Sequence, residues 1–177
     1  MARQIRLLVV AWLAAFACPN LLNAEVLDAN ANGFALKRTY VVNAPTARVY
    51  RALTHPEKWW SSSHTWSGAA SNLSMSPRAG GCFCERLANG GSVQHMGIVY
   101  AAPNQELRMF GALGPLQMTG ASGHLNVKLE ASGDVTNMTV TFDVGGYANG
   151  GLGNWAQPVD AVLGEQFSAL KALAERN

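Results

Sequence analysis

Apolar and polar residues alternate through much of the chain, and a period of two residues predicts β-strands with one buried face. The clearest alternation runs over 119–131, where Leu125, Val127 and Leu129 would face a core while their polar neighbours face water. The segment 137–144 alternates in the same way. Seven strands are predicted in total, over residues 34–42, 72–76, 82–87, 92–101, 106–112, 119–131 and 137–144.

A helical period of about 3.6 residues replaces this alternation after a glycine-rich loop at 144–155. The predicted helix runs from about Ala156 to Glu175. Its core-facing stripe consists of Val159, Val162, Leu163, Gln166, Phe167, Leu170, Leu173 and Ala174. Two short helices are predicted earlier, one from Pro45 to the break at His55 and one over 57–60. A long amphipathic helix needs a sheet to cover, so this order predicts an α+β fold in which a curved antiparallel sheet grips the C-terminal helix, leaving a gap between them.

The first 24 residues have the pattern of a secretory signal peptide. Arg3 and Arg6 form a basic start, residues 7–17 form an apolar run too short to span a membrane, and Ala24 offers a small residue for cleavage. We therefore expect an exported protein, periplasmic or secreted, with no membrane span after the signal is removed. A lipoprotein signal with an acylated Cys18 is the alternative.

The rest of the chain divides into a short leading segment at 25–33 and one domain at 34–177. Removing the signal takes 24 of the 177 residues and two of the 13 basic ones, so the mature chain has 11 basic and 11 acidic residues. A formal charge of zero provides no electrostatic attraction for nucleic acid or anionic lipid. We expect neither as a partner.

Cys82 and Cys84 stand two apart in a predicted strand, so their side chains would point to one face. Regular strand geometry puts their Cα atoms near the upper limit for a disulfide, so two free, largely buried thiols are expected. His95 could share that face, but ligands two apart on a flat strand converge poorly on a tetrahedral metal. We expect no metal site. We also expect no cofactor, because the glycine run at 150–153 lacks the crossover unit of a nucleotide-binding motif.

Several local patterns resemble one known superfamily. Residues 42–60 combine an Ala-Pro turn before a helix with a Pro-x-x-Trp motif, and residues 80–83 are similar to a Gly-Gly-x-Phe strand opening. Pro103 followed by Leu107 resembles the step into the next strand. Over about 34–175, the chain thus resembles the START/polyketide-cyclase-like (SRPBCC) superfamily, which has the helix-grip fold. Within it, the chain looks most similar to the branch related to the C-terminal domain of heat-shock ATPase activators.

This resemblance implies a cavity between sheet and C-terminal helix that holds an apolar ligand, and it implies no catalytic motif. A cleavable signal would separate the protein from cytosolic chaperones, so we do not expect a chaperone partner. The candidate ligand contacts are apolar residues on the inner sheet face, on the last helix and near the cavity ends. They are Trp59, Trp60, Phe83, Met109, Leu125, Val127, Val140, Phe142, Trp155 and Phe167.

Glu85 and His95 are the weak candidates for chemistry. If Asn89 and Gly90 are the two central residues of a hairpin turn, the two side chains face opposite sides of the sheet. A bulge would shift the pairing by one residue and bring them together. As a cavity-facing pair they could orient a ligand hydroxyl or move a proton. Otherwise they are an exposed glutamate and a histidine at the sheet surface.

The sequence therefore predicts a binding protein for a small hydrophobic ligand, such as a lipid, an aromatic or a polyketide-like compound. A cyclase- or dehydratase-type enzyme and a protein-interaction module are the alternatives. A closed apolar cavity would favour binding, and a buried glutamate or histidine inside it would favour catalysis. A large exposed apolar patch would favour interaction.

Overall fold

The computed structural model describes residues 24–176. Residues 1–23, which hold most of the predicted signal peptide, lie outside this range. Eight strands form one antiparallel sheet in the order β1-β2-β8-β7-β6-β5-β4-β3. Their bounds are β1 Ala24–Asn30, β2 Gly33–Val42, β3 Leu73–Met75, β4 Cys82–Arg86, β5 Ser92–Ala102, β6 Glu106–Gly111, β7 Gly120–Ser132 and β8 Val135–Tyr147. The helices are α1 Thr46–Leu53 and α2 Ala156–Glu175.

The alternation in the sequence decides which sheet face is buried. In β7, Leu125, Val127 and Leu129 are buried, whereas Lys128 and Glu130 between and after them are exposed. The inner face of β8 repeats this pattern. The predicted α+β helix-grip fold, with a curved antiparallel sheet around a long C-terminal helix, is confirmed.

Irregular pairing bends the sheet around α2. Register shifts occur in β1, between β4 and β5, and between β5 and β6, and bulges of this kind increase strand bend and twist. Near the end of β8, Gly146 has a φ of 131° and approaches the backbone of Gly120 so closely that a Cβ would lie 2.3 Å from its carbonyl oxygen. Glycine is therefore required where β8 crosses β7 at this edge.

Helix α2 packs across β2 and α1. Its buried stripe includes Leu163, Phe167 and Leu170. An ion pair adds a polar link, because the Arg38 guanidinium donates two hydrogen bonds of 2.7 Å to the Asp160 carboxylate. A Cβ at Gly164 would lie 2.5 Å from Arg38 Nη1, so this glycine leaves room for the guanidinium against the helix.

Three local features differ from the sequence prediction. Most of the leading segment at 25–33 forms β1, whose pairing with β2 extends the sheet at that edge. The glycine-rich stretch begins inside β8, because residues 144–147 still pair with β7. The second short helix is a 3-10 turn at Pro56–Lys58.

The expectation of two free cysteines is wrong. Cys82 and Cys84 form a disulfide, with Cα atoms 5.5 Å apart. Two residues of a regular strand would span roughly 6.6 Å. The pairing of β4 with β5 shifts between Phe83 and Cys84, and this local departure from regular geometry accompanies the shorter distance, which lies within the usual range for a bridge.

Candidate functional site

A cavity of about 390 Å³ lies beside the first half of α2. Its walls come from α2, from the loop that follows α1, from β5 and from the turn after β6. The lining residues are Trp60, Ser63, His64, Thr65, Trp66, His95, Leu113, Gly114, Pro115, Trp155, Pro158, Val159, Val162 and Leu163. Most of these side chains are apolar or aromatic, so the site is suited to an apolar molecule.

Hydrogen bonds hold the loop at 61–70 in place as one wall. The indole N–H of Trp60 donates to the His64 carbonyl at 3.0 Å, and the backbone N–H of Ala70 donates to Ser62 Oγ at 3.0 Å. Trp66 in the same loop is about half exposed (48%), which leaves a large aromatic face at the cavity mouth. The loop is therefore an ordered wall with an aromatic rim.

Gln166 joins this loop to α2. Its Oε1 accepts from the backbone N–H of Ser61 at 2.7 Å, and its Nε2 lies 2.9 Å from His64 Nδ1. An amide nitrogen can only donate, so His64 Nδ1 accepts in this contact. The sequence placed Gln166 on the apolar face of the helix, and the structure buries it fully. Its partners in the loop could not be predicted from the sequence.

A bulge in β5 places Glu85 and His95 on the same inner face. Phe83 pairs with Met96 while Cys84 pairs with Gln94, so His95 is the extra residue. The two side chains meet with His95 Nε2 2.9 Å from Glu85 Oε2, and both are at least 95% buried. The sequence left two registers open. The structure brings the pair together through a bulge within the strand, and a five-residue loop replaces the two-residue turn.

The Glu85 carboxylate also anchors the loop. Its Oε1 accepts from the backbone N–H of Ser67 at 2.5 Å, and its Oε2 accepts from that of Trp66 at 3.1 Å. Burial raises the pKa of Glu85, but the hydrogen bonds from Ser67, Trp66 and His95 outweigh it and the net pKa lies below the ordinary value. Glu85 is therefore ionised at neutral pH.

His95, unlike Glu85, is uncharged at neutral pH, because burial outweighs its neighbour's effect. Removal from water lowers the pKa of His95 by more than the neighbouring Glu85 carboxylate raises it, so the net pKa lies below 6.5. The Phe83 ring packs on the imidazole, with ring centroids 4.9 Å apart. At neutral pH the pair is thus an anionic glutamate and a neutral imidazole.

The predicted ligand contacts fall into two groups. Trp60 and Trp155 line the cavity. Of the two candidates for chemistry, His95 also lines it, and Glu85 lies directly behind His95. The other predicted contacts do not line it and form the packed core between sheet and helix. They are Trp59, Phe83, Met109, Leu125, Val127, Val140, Phe142 and Phe167.

The core residues leave little space because their large side chains meet each other. The rings of Trp59 and Phe167 have centroids 5.7 Å apart, and those of Phe34 and Phe142 are 6.2 Å apart. Contact between ligand and the core group stays a prediction. Val159, Val162 and Leu163, which also line the cavity, lie on the predicted stripe of α2. The lining residues that were not predicted are Pro158 and those in the loop at 63–66 and the turn at 113–115, and these two segments carry no periodic signal.

The cysteines and His95 face opposite sides of β4 and β5. Phe83 and Glu85 point inwards with His95, so Cys82 and Cys84 point outwards. Within residues 24–176, no group of three or more His, Cys, Asp or Glu side chains is placed to hold a metal ion. Over the same range, no helix combines the length and apolar character needed to cross a membrane.

Comparison with protein families supports the fold directly. The family described as Activator of Hsp90 ATPase homolog 1-like protein matches residues 43–175, which is most of the chain. The chain belongs to this family. Its place in the SRPBCC superfamily, predicted from local motifs, is confirmed. A comparison with curated protein sequences found no significant match.

Solved structures share the fold at low sequence identity. A protein from Chromobacterium violaceum is 16% identical, with a TM-score of 0.57, and the match covers 81% of this chain and 98% of that one. A conserved protein of unknown function from Enterococcus faecalis is 12% identical, with a TM-score of 0.59 and coverage of 88% and 77%. A protein from Rhizobium leguminosarum is 23% identical, with a TM-score of 0.54 and coverage of 81% and 97%. These likenesses establish the architecture alone.

Proposed function

We propose that this protein binds a small hydrophobic ligand in the cavity beside α2. The observation that carries the proposal is the cavity itself, since about 390 Å³ of space walled by apolar side chains is within the range of small-molecule sites. Trp60, Trp66 and Trp155 provide aromatic surface, and Val162 and Leu163 provide aliphatic surface. A lipid, an aromatic or a polyketide-like compound fits this chemistry.

We further propose that binding takes place outside the cytosol, in the periplasm or after secretion. The signal-like pattern of residues 1–24 supports export. The Cys82–Cys84 disulfide is consistent with an oxidising compartment. Exported protein would not meet a cytosolic chaperone, so the ATPase-activator role in the family's description is not part of this proposal.

A neutral fluorescent probe, N-phenyl-1-naphthylamine, tests the cavity. Val162 lines the cavity, whereas its neighbour Ala161 is exposed on the outer side of α2. Val162→Phe should therefore fill the space and weaken probe binding on the order of ten-fold, while the matched Ala161→Phe should bind like wild type. Equal binding by the two variants would contradict the cavity as the site. Absence of binding to wild type would favour the interaction-module alternative.

A cyclase- or dehydratase-type enzyme is a second candidate, favoured by one observation. The buried Glu85–His95 pair reaches the cavity wall, and a carboxylate behind an imidazole is the arrangement of an oriented general base. Native mass spectrometry can identify a ligand that co-purifies with the protein. Conversion of that ligand by wild type, but not by His95→Phe, would support the enzyme; its unchanged recovery from both would support binding alone.

A further inference from the structure

His95 is the one buried polar residue among the described residues that line the cavity. The other polar lining residues, Ser63, His64 and Thr65, are exposed or half-exposed in the loop, and the His64 side chain retains 31% of its accessible surface. His95 retains 5%. A ligand that enters the apolar cavity therefore meets one fixed polar atom far from water, and that atom must be either a donor or an acceptor.

The geometry around Glu85 decides whether His95 presents a donor or an acceptor to the ligand. An ionised carboxylate accepts hydrogen bonds and cannot donate them, so the 2.9 Å contact requires a proton on His95 Nε2. The backbone N–H groups of Trp66 and Ser67 fix the carboxylate in this position. In a neutral imidazole the other nitrogen, Nδ1, then carries a lone pair and acts only as an acceptor.

His95 Nδ1 is free to meet a ligand. None of the side-chain hydrogen bonds in residues 24–176 involves it. Among those residues, the side-chain polar atoms that are sealed from solvent without a partner are Tyr40 Oη, Tyr50 Oη and Asn126 Oδ1, and Nδ1 is not one of them. Nδ1 therefore keeps some accessible surface, and His95 is one of the residues that line the cavity.

We propose that His95 Nδ1 selects apolar ligands that carry a hydrogen-bond donor, such as a phenolic or alcoholic hydroxyl, and that Glu85 is the positioning residue which locks this acceptor. The inference rests on the proposed binding function and names its ligand class. An apolar ligand without a donor would displace water from Nδ1 without replacing its hydrogen bond. The buried site therefore binds such an analogue more weakly.

The first test needs no ligand. Long-range ¹H–¹⁵N correlation spectra of ¹⁵N-labelled protein at neutral pH should give His95 a pyridine-like Nδ1 and a protonated, pyrrole-like Nε2. Glu85→Gln should mix the two tautomers, because an amide can donate as well as accept. A protonated Nδ1 in wild type would overturn the proposal whatever the protein binds.

The second test uses two probes of nearly the same shape, 2-naphthol and 2-methoxynaphthalene. Wild type should bind the naphthol on the order of ten-fold or more tightly than the ether. His95→Phe, which keeps a ring against Phe83, should remove the preference, and Glu85→Gln should reduce it. If His95→Phe does not fold, the ratio of the naphthol and ether affinities of Glu85→Gln, together with the wild-type spectra, still tests the proposal.

The two proposals fail differently. Equal affinity of wild type for the naphthol and the ether would overturn the ligand class while leaving the binding function in place. If wild type binds none of the three probes (2-naphthol, 2-methoxynaphthalene and N-phenyl-1-naphthylamine), both the binding function and this inference are overturned.

Discussion

The middle and the N-terminal end of α2 present the same kind of apolar surface but meet different surroundings. Phe167 lies in the buried core, where the rings of Trp59 and Tyr40 pack near it with centroids 5.7 and 6.5 Å away. Around Val162, the facing side chains stand apart and line a cavity. An apolar stripe therefore predicts what is turned away from water. It does not predict whether the buried residue meets a neighbour or a ligand.

The largest expected effect comes from the packed region. Phe167→Ala should lower the free energy of unfolding by about 3–5 kcal/mol, because it leaves a void among residues that cannot collapse into it. Val162→Ala at the cavity should cost about 1 kcal/mol or less, since its side chain already faces open space. Thermal and denaturant unfolding measure both. Similar losses for the two variants would erase the distinction between core and cavity.

A smaller effect is expected from the ion pair that holds the cavity half of α2 against β2. Asp160→Asn should cost about 2–4 kcal/mol of unfolding free energy, because the largely buried Arg38 guanidinium would lose its counter-charge. The paired variant Arg38→Met with Asp160→Leu should recover much of the loss, since neither charge is then left alone. Denaturant titration of the single and double variants checks this. A double variant no better than Asp160→Asn would show that the helix needs the pair itself.

At the cavity end, a ligand effect should exceed the stability effect. Trp155→Ala should weaken probe binding by roughly five- to a hundred-fold, as expected for the loss of about 1–3 kcal/mol from one well-buried anchor. Fluorescence titration measures the affinity and thermal unfolding supplies the control. Loss of folding without any change in probe affinity would place Trp155 with the core.

The smallest effect concerns pH and the Glu85–His95 pair. The folded state keeps His95 neutral with a lowered pKa, so stability from this group is present above pH 6.5 and is lost as pH falls below it. Glu85 also has a lowered pKa, so its contribution is lost as pH falls below 4.5. Each group can add at most about 1.4 kcal/mol per pH unit.

Denaturant unfolding between pH 4 and pH 8 checks this expectation. His95→Phe should remove the loss of stability that begins as pH falls below 6.5. An identical pH profile for wild type and His95→Phe would contradict the neutral buried imidazole.

Much of the architecture could be predicted from the sequence because it depends on local periodicity. The alternation of Leu125, Val127 and Leu129 and the stripe containing Leu163 and Phe167 already separate inside from outside. A strand or helix with one apolar face has few ways to bury it, so the sheet-and-helix layers follow.

The tertiary structure alone decided the site. One extra residue in β5 turns His95 to the inner face beside Glu85, and a pleated strand assigns faces by parity, so no local pattern reveals such a shift. The shift lies beside the Cys82–Cys84 bridge, which regular strand spacing had argued against. The cavity likewise depends on how far apart distant segments stand. Periodicity records which side chains avoid water, whereas an open space is a property of the distances between elements.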